Sequence, residues 1–255
     1  MNGLEKFLYQ LRKGFSNVGY TCDFCDAEIF DYPARRLCVA CENSLPKNDK
    51  KYCPKCGRKT VADGVCLDCK RDVPKFNLGV APFVYGGKAA AYVNRLKNGE
   101  SCLAWYLGEK MAFALVERAL QNRKREKEET PLLLIPVPLT EKRKRERGYN
   151  QAERLAESVC KTLCGMGIPA ETDFEILQKL REGEQQKHMG YQARKENARG
   201  AYHVHKRTAC RDRRIVVIDD ILTTGATGSE CAERLLAAGA KEVIFLVAAA
   251  LEERK

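Results

Sequence analysis

Two adjacent acids and a hydroxyl-rich turn stand in the stretch IVVIDDILTTGAT, residues 215–227. Asp219 and Asp220 follow an aliphatic run, and the turn that follows them contains Gly225. Carboxylates repel a phosphate, but they accept hydrogen bonds from a vicinal diol or bind Mg²⁺. The backbone amides of such a turn, at the start of a helix, suit a phosphate group. The stretch predicts a site for a sugar 5-phosphate with free 2- and 3-hydroxyls. The residues predicted to form it are Asp219, Asp220, Leu222, Thr223, Thr224, Gly225, Ala226 and Thr227.

Other interpretations of this stretch account for less of it. An acidic helix N-cap followed by a flexible turn explains Asp220 but not the long polar run behind it. The phosphate-loop pattern G-x-x-x-x-G-K-[ST] is absent from the sequence, and no G-x-G-x-x-G follows a predicted strand. Burial of Asp219 and Asp220 in internal ion pairs would contradict the sugar-phosphate interpretation.

Eight of the 13 cysteines form four C-x-x-C pairs within the first 70 residues, separated by 12, 11 and 9 residues. Four thiolates brought together by two such turns are typical of a closed structural zinc site, so the pattern predicts two Zn²⁺ ions. A disulfide framework would require an oxidising compartment, and the spacing suits an iron–sulfur cluster less well. The spacing favours sequential pairing of the four turns and leaves interleaved pairing open. The predicted ligands are Cys22, Cys25, Cys38, Cys41, Cys53, Cys56, Cys66 and Cys69.

The composition indicates a folded chain with an anionic partner. The 255 residues are 44% hydrophobic and carry a net charge of +11, and 31 of the 45 basic and 24 of the 34 acidic residues lie in residues 76–255. Such a balance suits phosphorylated small molecules or nucleic acid. The basic run EKRKRERGYNQ, residues 141–151, could follow a nucleic-acid backbone with Tyr149 stacking on a base, or it could be a solvated loop. No apolar run reaches the roughly 18 to 20 residues of a membrane-spanning helix, so we expect a cytoplasmic protein.

The elements that must position these residues alternate between strand and helix. Strands are predicted at residues 75–87, 132–138, 213–219 and 241–251, with helices between them, one of them starting at Asn150. This order predicts an α/β fold whose parallel sheet has helices on both faces and binds ligands at the carboxyl ends of its strands. Residues 171–210 read as a long mobile segment. An amphipathic helix is expected over residues 4–11. We expect two domains, a zinc module over residues 1–75 and the α/β domain over residues 76–255.

These motifs resemble a known family. IDDILTTGAT resembles the loop that binds 5-phosphoribosyl 1-pyrophosphate (PRPP) in type I phosphoribosyltransferases. IPVPLTEKRKRERGYNQAERLAE, LQKLREGEQQKHMGYQARKENARGAYHV and RLKNGE resemble segments of the ComF proteins of natural competence, which also begin with four zinc-binding turns. Met189 and Gly183 depart from the pattern of that family's mobile loop. The resemblance covers nearly the whole chain.

The resemblance implies roles for individual residues. The acid pair would hold the ribose hydroxyls of PRPP, residues 223–227 its 5-phosphate, and Mg²⁺ would accompany its pyrophosphate. The residues implied near the pyrophosphate or in the mobile loop are Pro136, Val137, Pro138, Arg147, Lys179, Arg181, Gln186 and Arg194.

The resemblance favours one function among three. The favoured one is a competence protein that handles incoming single-stranded DNA at the cytoplasmic side. Such a protein would not be an integral membrane protein, but it could lie at the inner face of the membrane and contact the DNA-translocation machinery. A catalytically active phosphoribosyltransferase with an unidentified acceptor is the second. A regulator that senses PRPP is the third.

Overall fold

The computed structural model describes residues 21–31, 34–121, 130–181, 196 and 198–253. The predicted helix at residues 4–11 lies outside this part of the chain, as do Gln186 and Arg194. The chain forms two compact units, Met1–Leu45 and Pro46–Lys255. The last four predicted zinc ligands therefore belong to the same unit as the sheet. The predicted division into domains of residues 1–75 and 76–255 stays a prediction.

A parallel sheet forms the centre of the larger unit. Its strand order is β1-β8-β7-β3-β4, and β2 continues the β1 edge by pairing with the last residues of β8. β7 and β8 are the longest strands, nine residues each. β8 is apolar throughout after Glu242, and β7 carries the aliphatic run of residues 215–218 before its two acids. The strands are β1 Leu78–Val80, β2 Phe83–Val84, β3 Leu132–Pro136, β4 Ala170–Thr172, β5 Leu177–Lys179, β6 Tyr202–Val204, β7 Arg214–Leu222 and β8 Glu242–Ala250.

Helices cover both faces of this sheet, as the sequence predicts. Val243 and Phe245 of β8 share a buried cluster with Leu235 of α7, whereas Ile244 and Leu246 alternate to the opposite face. On that opposite face α4 packs against β8, and α6 packs against β3 and β7. The helices are α1 Val39–Asn43, α2 Leu67–Arg71, α3 Gly87–Lys97, α4 Leu103–Ala119, α5 Glu141–Arg147, α6 Gln151–Gly165 and α7 Ala226–Ala237.

The structure corrects one predicted strand end and one of the two interpretations of the basic run. The strand predicted to end at Asp219 continues to Leu222, because Ile221 and Leu222 still pair with Ala249 and Ala250 of β8. The basic run at residues 141–147 is not a loop but the helix α5. Thr140 caps this helix by accepting a hydrogen bond from the Arg143 amide, at 3.4 Å.

Residues 171–210 contain more structure than the sequence suggests. β5 and β6 pair antiparallel, Leu177 with Val204 and Lys179 with Tyr202. A short 3₁₀-helix, Arg207–Cys210, then leads into β7. The described part of this segment is therefore a two-stranded ribbon. Within the described residues, no helix is long and apolar enough to cross a membrane.

Candidate functional site

The carboxyl ends of β3 and β7 lie side by side. Pro136 pairs with Ile218, and the Val137 amide donates a hydrogen bond to the Ile218 carbonyl at 2.8 Å. The chain after β3 runs on into α5 and α6 and returns through β4 on one side, whereas β7 connects through α7 to β8 on the other. This divergence between neighbouring strands is where open parallel sheets bind their ligands. The structure thus brings residues 136–138 beside the acid pair.

The two acids of the pair have different surroundings. Asp220 is 5% exposed. Its Oδ2 forms an ion pair with Lys97 Nζ at 3.0 Å and accepts a hydrogen bond from Gln151 Nε2 at 3.0 Å. Of the two acids, Asp220 is therefore the one held in an internal ion pair.

Asp219 is half-buried, and its Oδ1 accepts a hydrogen bond from the Asp220 amide at 2.8 Å. Burial, together with the neighbouring charge of Asp220, raises the pKa of Asp219 to about 7. Its Oδ2 has no hydrogen-bond partner in the part of the chain that the structure describes. Asp219 is therefore the more exposed acid of the pair, and its Oδ2 is not engaged in an ion pair with any described residue as Asp220 is.

Residues 223–227, which we call the phosphate loop, comprise the connection after β7 and the first two residues of α7. Gly225 takes the left-handed conformation, φ 80°, at the N-cap position of α7. Thr224 Oγ1 accepts a hydrogen bond from the Ala226 amide at 3.3 Å. Thr223 and Thr227 are half-exposed, whereas Gly225 is buried. The amides of the first turn of α7 have no intrahelical acceptors, so the loop presents donors and hydroxyls as an anion site requires.

Two of the predicted basic residues, Arg147 and Lys179, lie near the acid pair, whereas Arg181 bonds elsewhere. Arg147 Nη1 donates to Gln151 Oε1 at 2.9 Å, which links it through Gln151 to Asp220. The charge of Lys179 is close enough to lower the pKa of Asp219 against the larger effect of burial. Arg181 donates to the carbonyl of Arg199 and is exposed.

Tyr149 does not fit the stacking role considered for it. The side chain is half-buried, and its hydroxyl donates a hydrogen bond to the Leu96 carbonyl. Burial raises its pKa to about 12. This tyrosine fastens the start of α6 to the end of α3 instead of presenting a ring to a base.

Comparisons with known proteins agree with this geometry. The family model described as "Phosphoribosyl transferase domain" matches residues 109–255. This chain belongs to that family.

The curated relatives carry the names that the resemblance predicts. "DNA utilization protein YhgH" of Shigella flexneri is 26% identical over 208 residues, covering 81% of this chain and 87% of the relative. "Competence protein ComFC" of Bacillus subtilis is 25% identical over 216 residues, covering 81% of this chain and 80% of the relative. Among solved structures, hypoxanthine phosphoribosyltransferase from Trypanosoma cruzi is similar with a TM-score of 0.38 and 14% identity, covering 56% of this chain and 64% of that one. The predicted relationship to the ComF proteins is confirmed by these names.

The eight cysteines of the C-x-x-C pairs form two groups of four. Within each group all four Sγ atoms lie within 4.8 Å of one another. Tetrahedral zinc with Zn–S bonds of about 2.3 Å places sulfurs about 3.8 Å apart. The Cys25–Cys38 and Cys56–Cys66 Sγ distances are both 3.6 Å, too long for a disulfide. Four sulfurs within 4.8 Å of one another surround a single ion more closely than they could surround a cluster of several irons. The four turns group in sequence, the first with the second and the third with the fourth, which is the arrangement that the spacing favours. The first tetrad is Cys22, Cys25, Cys38 and Cys41, and the second is Cys53, Cys56, Cys66 and Cys69.

Backbone donors surround both tetrads in the same way. The Cys38 amide donates to Cys22 Sγ at 3.3 Å, and the Cys66 amide donates to Cys53 Sγ at 3.4 Å. Cys38 and Cys66 are also the N-cap residues of α1 and α2. Hydrogen bonds to sulfur and helix N-termini both stabilise thiolates, so the tetrads suit a dication.

Several residues at the candidate site were not singled out from the sequence. Lys97 and Gln151 hold Asp220, and both lie in quoted motifs, RLKNGE and RGYNQ, that could have indicated them. Tyr202 is buried at the start of β6, and burial raises the pKa of its hydroxyl against a smaller opposing effect of the Thr227 side chain. Arg58 bonds to the Thr223 carbonyl at 2.9 Å across 165 residues, and no local pattern signals that contact.

Proposed function

We propose that this chain binds PRPP together with Mg²⁺ at the carboxyl ends of β3 and β7, and that it acts in the handling of single-stranded DNA at the cytoplasmic side of the membrane. Asp219 supplies the carboxylate for the ribose hydroxyls or Mg²⁺, and Asp220 positions it. The phosphate loop takes the 5-phosphate. Residues 136–138 and Arg147 lie on the side where the pyrophosphate would extend. Bound Mg²⁺ would neutralise part of the pyrophosphate charge.

The observation that carries this proposal is the placement of one carboxylate outside the internal ion pair, Asp219, between a phosphate loop and the end of β3. Oxygen ligands such as this carboxylate are those that Mg²⁺ prefers. The two tetrads are proposed to hold structural Zn²⁺, since each offers four sulfurs, the full set of a closed tetrahedral site. The DNA part of the proposal is supported by the names of the relatives and by the exposed basic helix α5.

Isothermal titration of the zinc-loaded protein with PRPP and MgCl₂ tests the binding site. We expect saturable heat in the wild type and at least a tenfold loss of affinity in Asp219→Asn, because the amide cannot replace an ionised oxygen at a cation. Asp212→Asn is the matched control. Asp212 is exposed at the amino end of β7 with a φ of 56°, a conformation that asparagine tolerates well. Absence of heat in the wild type would refute the proposal, and pyrophosphate release during the titration would favour a catalytic role.

A further inference from the structure

Arg58 is an arginine buried between the second tetrad and the phosphate loop, and only 2% of it is exposed. Its Nε donates to Cys56 Sγ at 3.3 Å, and its Nη1 donates to Asp68 Oδ2 at 2.6 Å. Its Nη2 donates to the Thr223 carbonyl at 2.9 Å. One rigid guanidinium therefore contacts a candidate metal ligand and the backbone of the phosphate loop at the same time.

The turn that contains Arg58 does not require an arginine. In the first tetrad the corresponding position is Ala27, and the same backbone bond closes both turns: Cys22 amide to Ala27 carbonyl at 2.7 Å, and Cys53 amide to Arg58 carbonyl at 2.8 Å. Burying a guanidinium costs free energy unless its donors are satisfied. The side chain of Arg58 therefore serves contacts beyond its own turn.

The backbone around Arg58 is fixed against the sheet. Gly57, with φ 73°, lies so close to Gly79 of β1 that a Cβ on Gly57 would approach the Gly79 carbonyl oxygen to 2.2 Å. The Gly79 amide also donates to the Lys55 carbonyl at 2.8 Å. The turn of the second tetrad thus rests on the sheet edge, where β1 fixes its backbone and leaves the Cys56 thiol to be oriented by the other groups around it.

The phosphate loop is less tightly supported on the side that faces the second tetrad. A cavity of about 430 Å³ lies there, with Arg58, Asp68, Thr224 and Ala226 among its lining residues. Since open space borders the loop, the bond from Arg58 to the Thr223 carbonyl is a direct tie between the loop and the tetrad. Loss of that tie leaves the loop free to shift into the cavity.

We propose that Arg58 is a positioning residue that couples the second tetrad to the phosphate loop, so that zinc in this tetrad raises the affinity for PRPP. This inference rests on the proposed function. Cysteines arranged around a metal hold Cys56 in place as an acceptor for Arg58, and the same guanidinium then fixes the orientation of the peptide at Thr223. Without the metal, Cys56 is no longer held, and the loop amides lose their fixed orientation.

Titration of Arg58→Ala with PRPP and MgCl₂ tests the coupling. We expect at least a tenfold weaker affinity with both zinc ions retained, because Ala27 shows that the turn folds with alanine at this position. Arg58→Lys should recover little, since one ammonium cannot reproduce the planar three-way contact. Arg154→Ala removes an exposed arginine that pairs with Glu157 on α6, and it should leave affinity unchanged. Unchanged affinity in Arg58→Ala would overturn the inference, whereas a wild type that binds no PRPP would refute the proposed function.

Two further measurements do not depend on affinity. Hydrogen exchange in the peptide that contains residues 223–227 should be faster in Arg58→Ala than in wild type without any ligand, while exchange in α6 stays the same. Equal exchange in the loop would also overturn the inference. In protein loaded with Co²⁺, PRPP should change the thiolate–cobalt absorption of the wild type but not that of Arg58→Ala, a signature that a merely stabilising role for Arg58 would not produce.

Discussion

Asp219 and Asp220 are neighbours on one strand, yet opposite effects on stability are expected when their charges are removed. The raised pKa of Asp219, about 7, means that the folded state retains a proton that the unfolded state loses near pH 4. Raising the pH from about 4 to 7 therefore lowers the free energy of unfolding, and Asp219→Asn removes this loss. Asp220→Asn instead leaves Lys97, whose side chain is 25% exposed, without its counter-charge.

Chemical denaturation of the ligand-free protein between pH 5 and 8 measures both effects. Relative to wild type, Asp219→Asn should gain stability as the pH rises, by about 2 kcal/mol over this range, on the basis of about 1.4 kcal/mol for each pH unit. Asp220→Asn should lose about 1 to 3 kcal/mol at pH 8. A destabilised Asp219→Asn at pH 8 would show that this carboxylate is satisfied within the fold, and it would then be a poor candidate for a ligand.

At the scale of elements, Asn150 fixes the start of α6 to the end of β3. The side chain is 1% exposed, and its Oδ1 accepts from the Ala152 amide at 3.0 Å. Its Nδ2 donates to the Val137 carbonyl at 3.1 Å. One side chain thus caps the helix that carries Gln151 and also holds the segment proposed to lie near the pyrophosphate.

Two substitutions of Asn150 separate the cap from the tether. Asn150→Ser keeps a capping oxygen but loses the donor to Val137, whereas Asn150→Ala loses both. We expect a loss of about 1 kcal/mol in the free energy of unfolding for serine and about 2 to 3 kcal/mol for alanine. PRPP affinity should fall in both variants. Thermal unfolding and titration check this, and full affinity in Asn150→Ser would show that the Val137 tether does not shape the site.

At the scale of the whole molecule, periodic patterns and fixed spacings could be predicted from the sequence. The C-x-x-C pairs, the strand–helix alternation and the position of the phosphate loop depend on neighbours along the chain, and the structure reproduces them. The ion pair of Lys97 with Asp220 and the bond from Arg58 to Thr223 join residues 123 and 165 positions apart. Such contacts follow from strand order and from the docking of the second tetrad on β1, which no local pattern encodes.

The basic run at residues 141–147 forms the exposed helix α5. Of the seven residues of α5 none is buried, and five are Lys or Arg. This helix follows β3 directly, so it borders the proposed PRPP site at the carboxyl edge of the sheet. The run is therefore an exposed basic helix next to the proposed anion-binding edge, not the solvated loop that one of its two interpretations predicts.

Single-stranded DNA binding at this surface should depend on salt through the number of phosphates contacted. Removing two contacts with Lys142→Gln and Arg145→Gln together should lower the slope of log affinity against log salt by about 1.4, at about 0.7 for each phosphate on a single strand. The control Arg211→Gln and Lys241→Gln removes two exposed basic residues before β7 and β8, at the amino edge of the sheet, and should leave the slope unchanged. Fluorescence anisotropy with a labelled oligonucleotide measures the slope. An equal loss in both double variants would show that DNA responds only to net charge, and a wild-type affinity independent of salt would exclude binding through the phosphate backbone altogether.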